Sequence, residues 1–299
     1  INRQFHLGIY DFKTLFDPPA PTPPSKPPDR LNCCQDSGQN NITDSTNMIT
    51  DQSLILAGGH LSDKMPNPTC YHRVGEKWQR LTQIPQHQLL YNMSVCGLQD
   101  GFLLIGGHDD RERSQCVQYS MQQARWRQMP DLPTPRSAAS SVIIDSRIYV
   151  IGGIVRQGGS WHPVDTVESL NLDSQTWSKQ PSMIHKMMYP IAAQVDGSLI
   201  VLFHDNYINL PGQEAAVGSL QQLDGGSWRL RRAWPGGRGR TVGAQAVGLG
   251  HYLYVVGGDS RLCERYSPST DTWVQLTQPV GWYRMGVVVM WGNTLLLLG

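Results

Sequence analysis

Arginine and tyrosine side chains that could bind another molecule recur along this chain just before short apolar segments. The clearest are Arg136 in PTPRS and Arg240 in RGRTV, and the others lie within two residues of the same register. Guanidinium groups bind carboxylates and phosphates through paired hydrogen bonds, and phenol rings add rigid amphipathic contact area. The sequence therefore predicts a partner-binding site for an acidic or phosphorylated peptide, formed by Tyr91, Arg136, Tyr189, Arg240, Tyr283 and Arg284. Arginines that only cap strand ends and contact solvent remain the alternative.

Histidines offer a second chemistry, because His60 and His108 each follow a glycine pair and His204 lies near the equivalent place. A metal ion would need these imidazoles at one shared centre, whereas residues of separate repeats are held apart around an axis. We therefore expect neither a metal nor another cofactor. The sequence also contains no nucleophile elbow, phosphate-binding loop or HExxH motif, so we predict no catalytic residues and no enzyme.

The elements that would position these side chains are six apolar runs that end in a glycine pair or in its counterpart. They recur roughly 40 to 55 residues apart, an interval typical of solenoids and propellers. The runs are LILAGG ending at Gly59, LLIGG at Gly107, YVIGG at Gly153, LIVLFH at His204, YVVGG at Gly258 and LLLLG at Gly299.

Each repeat contains four short strands. A tyrosine-bearing strand follows most of the glycine pairs, then a turn, a tryptophan and a closing proline; the tryptophans are Trp78, Trp126, Trp177, Trp228 and Trp273. Turns of a few residues join the strands, and a parallel pair would need a much longer crossover, so the strands are antiparallel. No amphipathic helix of useful length is present, and the domain is predicted to be all-β.

This pattern resembles the kelch repeat, in which a glycine pair follows an apolar strand and a tryptophan follows a tyrosine-bearing strand. The resemblance covers nearly the whole chain and implies a six-bladed β-propeller with four antiparallel strands per blade. We expect the glycine pair to leave room for a bulky ring or another backbone, with tryptophan as the plausible occupant. In the fourth repeat Phe203 and His204 replace the pair, so we expect an irregular blade four with its loop over 205–218 repositioned.

The chain is similar in length and style to the substrate-recognition domain of BTB-kelch proteins, adaptors that present bound proteins to a cullin-RING ubiquitin ligase. In that family the ligand lies on the face formed by the loops that enter the inner strands and the loops that follow the glycine pairs. The resemblance places five of these residues on that face, together with the loops that begin at His60, His108, Ile154 and Asp259. The five are Tyr91, Arg136, Tyr189, Arg240 and Arg284. The cullin would be reached only through a BTB region, which these 299 residues do not show.

Two other functions are compatible with a kelch propeller. One is an actin-binding cytoskeletal protein. The other is an enzyme such as a copper oxidase or a sugar-converting enzyme. A copper oxidase would need tyrosine, histidine and cysteine at one site, and no such set is apparent in the sequence.

The last repeat has only two of its four strands, and we predict that residues 1–16 supply the missing pair and close the ring. The alternative is that these residues are the tail of an upstream domain. Residues 17–44 are rich in proline and then polar, which is typical of an extended insertion or linker, with an SH3 or WW ligand as the sharper alternative. The whole of 1–299 is expected to be one propeller domain.

Composition narrows the class of partner. A net charge of +1 argues against a nucleic acid or a membrane surface as the partner, and no apolar stretch is long enough to span a bilayer. The six cysteines show no CxxC or zinc-ligand spacing, which favours a reducing compartment. We expect a cytoplasmic protein, with the nucleus as the alternative, that binds a protein or peptide.

Overall fold

The computed structural model describes residues 55–57, 68–74, 77–109, 112–203, 218–238, 244–257, 262–276, 287–291 and 294–298. In this part of the chain the regular structure is almost entirely strand, with two short 3₁₀ helices at Gln86–Gln88 and Pro235–Arg238. None of the described helices is both long and apolar enough to cross a membrane.

The described strands form six successive sheets, which we number as blades 1 to 6, and one separate two-stranded hairpin. Blade 1 contains β1 (Ile55–Ala57), β2 (Thr69–Val74) and β3 (Lys77–Gln83), and blade 2 contains β4 (Ser94–Leu98), β5 (Gly101–Ile105), β6 (Cys116–Ser120) and β7 (Arg125–Met129). Blade 3 contains β8 (Ser140–Ile144), β9 (Arg147–Ile151), β12 (Val167–Asn171) and β13 (Thr176–Gln180), with a hairpin of β10 (Ile154–Gln157) and β11 (Ser160–Pro163) between β9 and β12.

Blade 4 contains β14 (Ile191–Val195), β15 (Ser198–Leu202), β16 (Leu220–Asp224) and β17 (Ser227–Leu230). Blade 5 contains β18 (Ala244–Leu249), β19 (Tyr252–Gly257), β20 (Leu262–Ser267) and β21 (Thr272–Gln275), and β22 (Val287–Trp291) and β23 (Thr294–Leu298) belong to blade 6. Within blades 2 to 5 every strand pairs antiparallel with the next strand of its sheet, which confirms the all-β prediction.

Neighbouring blades pack face to face, and their first strands contact one another in the order β4, β8, β14, β18, β22. Buried apolar clusters fill the spaces between the sheets. Between blades 2 and 3, for example, Leu103 and Met129 pack with Ile148 and Leu170. The core of the fold therefore lies between the sheets. Each Å² of apolar area buried there contributes about 25 cal/mol to stability.

The tryptophans of the outer strands of blades 2 to 5 each join their blade to the one before it. The indole Nε1–H of Trp126 donates to the carbonyl of Gln83 at 2.9 Å, and that of Trp177 donates to Pro130 at 2.9 Å. Trp228 donates in the same way to Pro181 at 2.8 Å, and Trp273 to Arg232 at 3.1 Å. The recurring tryptophan and the end of the preceding outer strand, usually near a proline, are therefore the two partners of one repeated inter-blade hydrogen bond.

The glycine pairs accommodate backbone, and the predicted tryptophan is not their neighbour. A Cβ atom on Gly106 would lie 2.5 Å from the carbonyl oxygen of Arg136, and one on Gly152 would lie 2.8 Å from that of Met187. The second glycine of the pair donates its N–H to the same carbonyl, as Gly107 does to Arg136 at 3.0 Å. Of the two expected neighbours, another backbone is confirmed and a tryptophan ring was wrong, because the carbonyl of the next blade's entry loop fills the space.

Blade four is regular, so the expectation of an irregular sheet was wrong. Phe203 keeps the backbone hydrogen bond of a glycine pair by donating its N–H to Ser219 at 3.1 Å, and its ring packs in the cluster between blades 3 and 4. In this blade two other glycines make the close contact between backbones: a Cβ on Gly237 would lie 2.5 Å from the Cα of Gly218. The loop over 204–217 lies outside the described residues.

Several predictions fall on residues that the structure does not describe. These are the strands of 1–16 that would close the ring, the proline-rich segment 17–44, and the loops after Gly59 and Gly258. They remain predictions.

Loss of one inter-blade tryptophan should weaken the fold measurably. We expect Trp177→Ala to lower the free energy of unfolding by about 3 kcal/mol, the low end for large rings because Trp177 is only partly buried. Trp177→Phe should cost about 1 kcal/mol, since it keeps the ring and loses the hydrogen bond to Pro130. Urea unfolding followed by circular dichroism would measure both. Equal losses would show that packing of the ring adds nothing to the hydrogen bond, and an unchanged stability of Trp177→Phe would show that the hydrogen bond contributes nothing.

Candidate functional site

The described members of the predicted site, Tyr91, Arg136 and Tyr189, belong to the loops at one face of the blades. We call it the loop face; it is formed by the entry loops, which precede each first strand, and by the segments that follow the glycine pairs. Backbone hydrogen bonds align its positions from blade to blade: Gly107 donates to Arg136 as Gly153 donates to Met187. Arg136 and Met187 therefore occupy the same register.

Tyr91 and Tyr189 occupy the next two registers. Tyr91 exchanges backbone hydrogen bonds with His108, as Ser137 does with Ile154, which puts Tyr91 one position beyond the Arg136 register. Tyr189 lies two positions after Met187, and therefore two positions beyond the Arg136 register. The structure thus spreads these three predicted residues over three successive positions, and their side chains have different surroundings.

The third register joins blades 2, 3 and 4. Asn92, Ala138 and Tyr189 share a left-handed backbone with φ of 52°, 52° and 50°. Ala138 donates its N–H to the carbonyl of Asn92, and Tyr189 donates to that of Ala138, both at 3.0 Å. Above this backbone chain the side-chain amide of Asn92 donates to Tyr189 Oη at 2.8 Å, so the two side chains bridge blades 2 and 4.

Tyr189 presents a neutral phenol at this bridge. Its residue is 37% exposed, which leaves part of the ring on the surface of the loop face. Burial of the remainder raises the pKa of Tyr189, and the hydrogen bond from Asn92 opposes the rise only in part. The hydroxyl is therefore protonated at neutral pH and can donate a hydrogen bond.

Three aromatic rings meet beside this bridge. The ring centroids of Tyr91 and His108 are 5.7 Å apart, and those of His108 and Trp161 are 5.2 Å apart in an edge-to-face arrangement. Trp161 is carried by the β10–β11 hairpin, whose turn at Gly158 and Gly159 has the two positive φ angles of a type I′ turn. The hairpin starts in blade 3 and places its indole against blade 2. We call Tyr91, His108 and Trp161 the aromatic group.

Polar atoms with unused hydrogen-bonding capacity lie at the same place. Among the described residues His108 Nδ1 and Ser137 Oγ are buried and have no hydrogen-bond partner. Burial lowers the pKa of His108, and the charges of Asp109 and Glu112 oppose that effect. The imidazole is consequently neutral near pH 7, and buried polar atoms of this kind favour a ligand that supplies their partners.

Arg136 does not present its guanidinium on the loop face, so its assignment as a partner-binding residue needs correction. Its side chain is 0% exposed and forms a 2.9 Å salt bridge with Glu168. The guanidinium also donates to the carbonyls of Gly152 at 3.1 Å and Thr166 at 2.9 Å. The alternative of a solvent-exposed cap was wrong as well, because this arginine joins the entry loop of blade 3 to the end of β9 and the start of β12.

A residue of the third strand holds the entry loop in other blades too. In the position of Glu168, blade 4 has Gln221, which accepts a hydrogen bond from the backbone N–H of Ile184 at 2.7 Å. Blade 5 has Glu264, which accepts from the indole of the buried Trp234. In blades 3, 4 and 5 a hydrogen bond to a third-strand side chain thus fixes the position of the entry loop.

The remaining predicted residues, Arg240, Tyr283 and Arg284, lie outside the described part of the chain, as do His60 and His204. Among the described residues no group of three or more His, Cys, Asp or Glu side chains could hold a metal ion. The described cysteines are free and buried, and burial raises the pKa of Cys70, Cys96 and Cys116 to about 12.

Sequence reasoning missed Asn92 and Trp161, although one signal pointed to the latter. Gly153 and the first residue of β12 are fourteen positions apart, whereas Gly107 and the first residue of β6 are nine apart. The additional residues of blade 3 contain Trp161. The role of Asn92 could not be read, because it depends on Tyr189 almost a hundred positions later.

Comparison with known proteins agrees with this architecture. Residues 135–184 match the family model described as Kelch motif. The chain is 24% identical to Kelch-like protein 38 of Homo sapiens over 216 residues, which cover 65% of this chain and 34% of that protein. It is 23% identical over 141 residues to Kelch repeat and BTB domain-containing protein 2 of Cowpox virus, covering 46% of this chain and 25% of that protein.

The solved structure of YjhT aligns with 83% of this chain and 87% of its own, with a TM-score of 0.64 and 12% identity, which shows a shared fold. The aligned regions span about a third or less of the curated relatives just named. The chain thus carries a kelch-repeat domain that resembles those of kelch-like proteins, built as a six-bladed β-propeller with four antiparallel strands in each completely described blade.

Arg136 should be essential for stability. Arg136→Ala leaves the buried carboxylate of Glu168 without its cation, so we expect the free energy of unfolding to fall by about 3–5 kcal/mol. Arg229→Ala, at an exposed arginine, should change it by less than about 0.5 kcal/mol. Chemical denaturation of both variants measures the difference; a similar small effect in both would show that Arg136 is not buried in solution.

His108 should make stability depend on pH. Because burial lowers its pKa in the folded state, the unfolded chain binds the proton more tightly. The stability linked to this group is present above the ordinary histidine pKa of about 6.5 and is lost as the pH falls towards the folded value. Between about pH 7 and 5 the native chain should lose more stability than His108→Gln, as measured by thermal unfolding; parallel losses would contradict a buried neutral imidazole.

Proposed function

We propose that this domain is a protein-binding module that holds a polypeptide segment on the loop face over blades 2, 3 and 4. The observation that carries the proposal is the convergence of the aromatic group with the Asn92–Tyr189 bridge. These side chains come from three blades, and rigid entry loops support them. Rigid tyrosine and tryptophan side chains of this kind are typical of surfaces that bind proteins.

The chemistry of the site suits a peptide. Tyrosine and tryptophan offer large, rigid contact areas at low entropic cost, and they pack against apolar side chains or proline rings. The unpartnered atoms of His108 and Ser137 can pair with the peptide backbone. A preference for an acidic or phosphorylated ligand rests in this proposal on Arg240, Tyr283 and Arg284, and Arg136 no longer contributes to it.

We further propose that the domain is the substrate-recognition part of an adaptor for a cullin-RING ubiquitin ligase and acts in the cytoplasm. The support is the similarity to kelch-like proteins, among them the viral relative whose name includes a BTB domain. In such an adaptor the loop face selects the protein to be modified, and a BTB region elsewhere in the protein contacts the cullin. Co-precipitation of a cullin with the complete protein from cells tests this role separately from ligand binding.

Trp161→Ala should abolish most partner binding without unfolding the domain. We expect affinity capture from cell lysate to retain a defined set of proteins on the native chain and about tenfold less of them on this variant, because the ring lies at the centre of the site. Tyr189→Ala should act similarly, and its backbone is not strained by the change, since Ala138 already holds the same φ.

The control is Arg229→Ala, which alters an exposed residue far from the aromatic group along the chain and should capture the same proteins as the native chain. Circular dichroism melting verifies that each variant is folded. Undiminished capture by both folded loop-face variants would contradict the proposed site.

A further inference from the structure

The outer strands of the described blades share one pattern of exposure. In β3, β7, β13, β17 and β21 the residue before the tryptophan is exposed, the tryptophan is half-buried, and the two residues after it are exposed. The tryptophan is turned inward by its hydrogen bond to the preceding blade where that bond is described. Three exposed side chains per blade therefore line the outer rim of the domain.

Charges on these five strands are of one sign. They contain no aspartate or glutamate, and their basic residues, all exposed, are Lys77, Arg80, Arg125, Arg127, Lys179 and Arg229. The chain as a whole is balanced, with 25 basic and 24 acidic residues. The excess of basic over acidic residues on the outer strands therefore does not follow from the overall composition.

Aspartates concentrate instead in the hairpin turns on the face opposite the loop face, where they serve the turns themselves. Asp100 accepts hydrogen bonds from Ser120 Oγ and from the N–H of Gln122, and Asp271 accepts from Tyr266 Oη. Among the described residues the outer strands make a single salt bridge, from Arg229 to Asp224 at 3.5 Å, and both side chains are exposed. Exposed pairs of this kind contribute little, so within the described part of the chain this pair leaves most of the positive charge of the rim uncompensated. The hydrogen bond from Ser120 and, more weakly, the charge of Arg127 lower the pKa of Asp100.

Protection of open sheet edges does not explain the distribution. Charged residues on an outer strand, lysine above all, discourage edge-to-edge pairing, but four of the six basic residues here are arginines. Moreover, β21 is equally open and has no charged residue, and its Val274 is 44% exposed. Four of the six basic residues lie on β3 and β7, so the charge is concentrated on blades 1 and 2.

Blades 1 and 2 form one continuous surface. Trp126 on β7 donates to the carbonyl of Gln83 at the end of β3, and its indole also lies 3.3 Å from Thr82 Oγ1. We call Lys77, Arg80, Arg125 and Arg127 the basic rim.

Neutral partners orient two of the rim guanidinium groups. Arg127 donates to Gln118 Oε1 from Nε at 2.9 Å and from Nη2 at 2.6 Å, and Arg125 donates to Gln123 at 2.7 Å. These contacts fix the direction of each group without cancelling its charge. Among the described residues, none of the four rim cations forms a salt bridge.

We propose that the basic rim is a second interaction surface, which binds an acidic segment of a partner protein independently of the loop face. Oriented guanidinium groups bind carboxylates in a bidentate manner, and a surface of one sign increases the rate of encounter with the opposite sign. The partner is an extended stretch with several aspartates or glutamates, long enough to contact both β3 and β7. The rim thus positions a bound protein at the side of the propeller.

The test uses the full chain and a short fluorescein-labelled peptide of alternating glutamate and serine, with a glutamine version as the negative probe. Fluorescence anisotropy at low salt should show binding of the glutamate peptide only, and added salt should weaken it. The double variant Arg80→Gln, Arg125→Gln should bind about tenfold more weakly. The matched control is Lys179→Gln, Arg229→Gln, which removes the same charge from exposed positions of the outer strands of blades 3 and 4 and should lose less than about threefold.

Three results would overturn the proposal: no binding to the native chain, equal loss in the two double variants, or loss of binding in Trp161→Ala with none in the rim variant. The second would show a general effect of net charge, and the third would place the peptide on the loop face. Binding that survives in Trp161→Ala and fails in the rim variant supports the rim, whether or not the loop face binds its own ligand.

Discussion

Attachment of each blade to its neighbour is the constraint on which the rest of the structure depends. Two contacts repeat along the chain: an outer-strand indole donates to the end of the preceding outer strand, and a glycine pair receives the carbonyl of the next entry loop. The glycine-pair contact satisfies backbone groups that would otherwise be buried without a partner, at a cost of about 1–3 kcal/mol. The indole contact is exposed or only partly buried, so its hydrogen bond contributes about 1 kcal/mol. Because both contacts are local to one junction, blades of different sequence can be joined in the same way, as the repeat architecture requires.

This attachment also explains why the loop face can hold a binding site. The entry loops are tied to the glycine pairs of one blade and supported by a third-strand side chain of their own, such as Glu168 or Gln221. Residues at the next two registers can then project from a rigid base. Trp161 and Tyr189 are preorganised in this way. Binding to preorganised side chains costs less conformational entropy, so it is tighter.

The arginines illustrate how burial decides the role of a charge. Arg136 is enclosed by carbonyl oxygens and by Glu168, so its charge stabilises a junction between elements of blade 3. Arg125 and Arg127 have neutral glutamine partners and remain exposed. The same functional group thus serves stability in one place and is available to a partner in the other, and sequence position alone does not distinguish the two.

What the sequence determined by itself was the architecture: repeated glycine pairs, tryptophans and short turns dictate antiparallel four-stranded blades, because these signals act within a few residues of one another. Only the tertiary structure decided which side chains share a surface. Arg136 is buried by groups up to 32 positions away, and Asn92 meets Tyr189 across blade 3. A pattern read along one chain contains no measure of such distances, so contacts between blades became visible only once the sheets were packed.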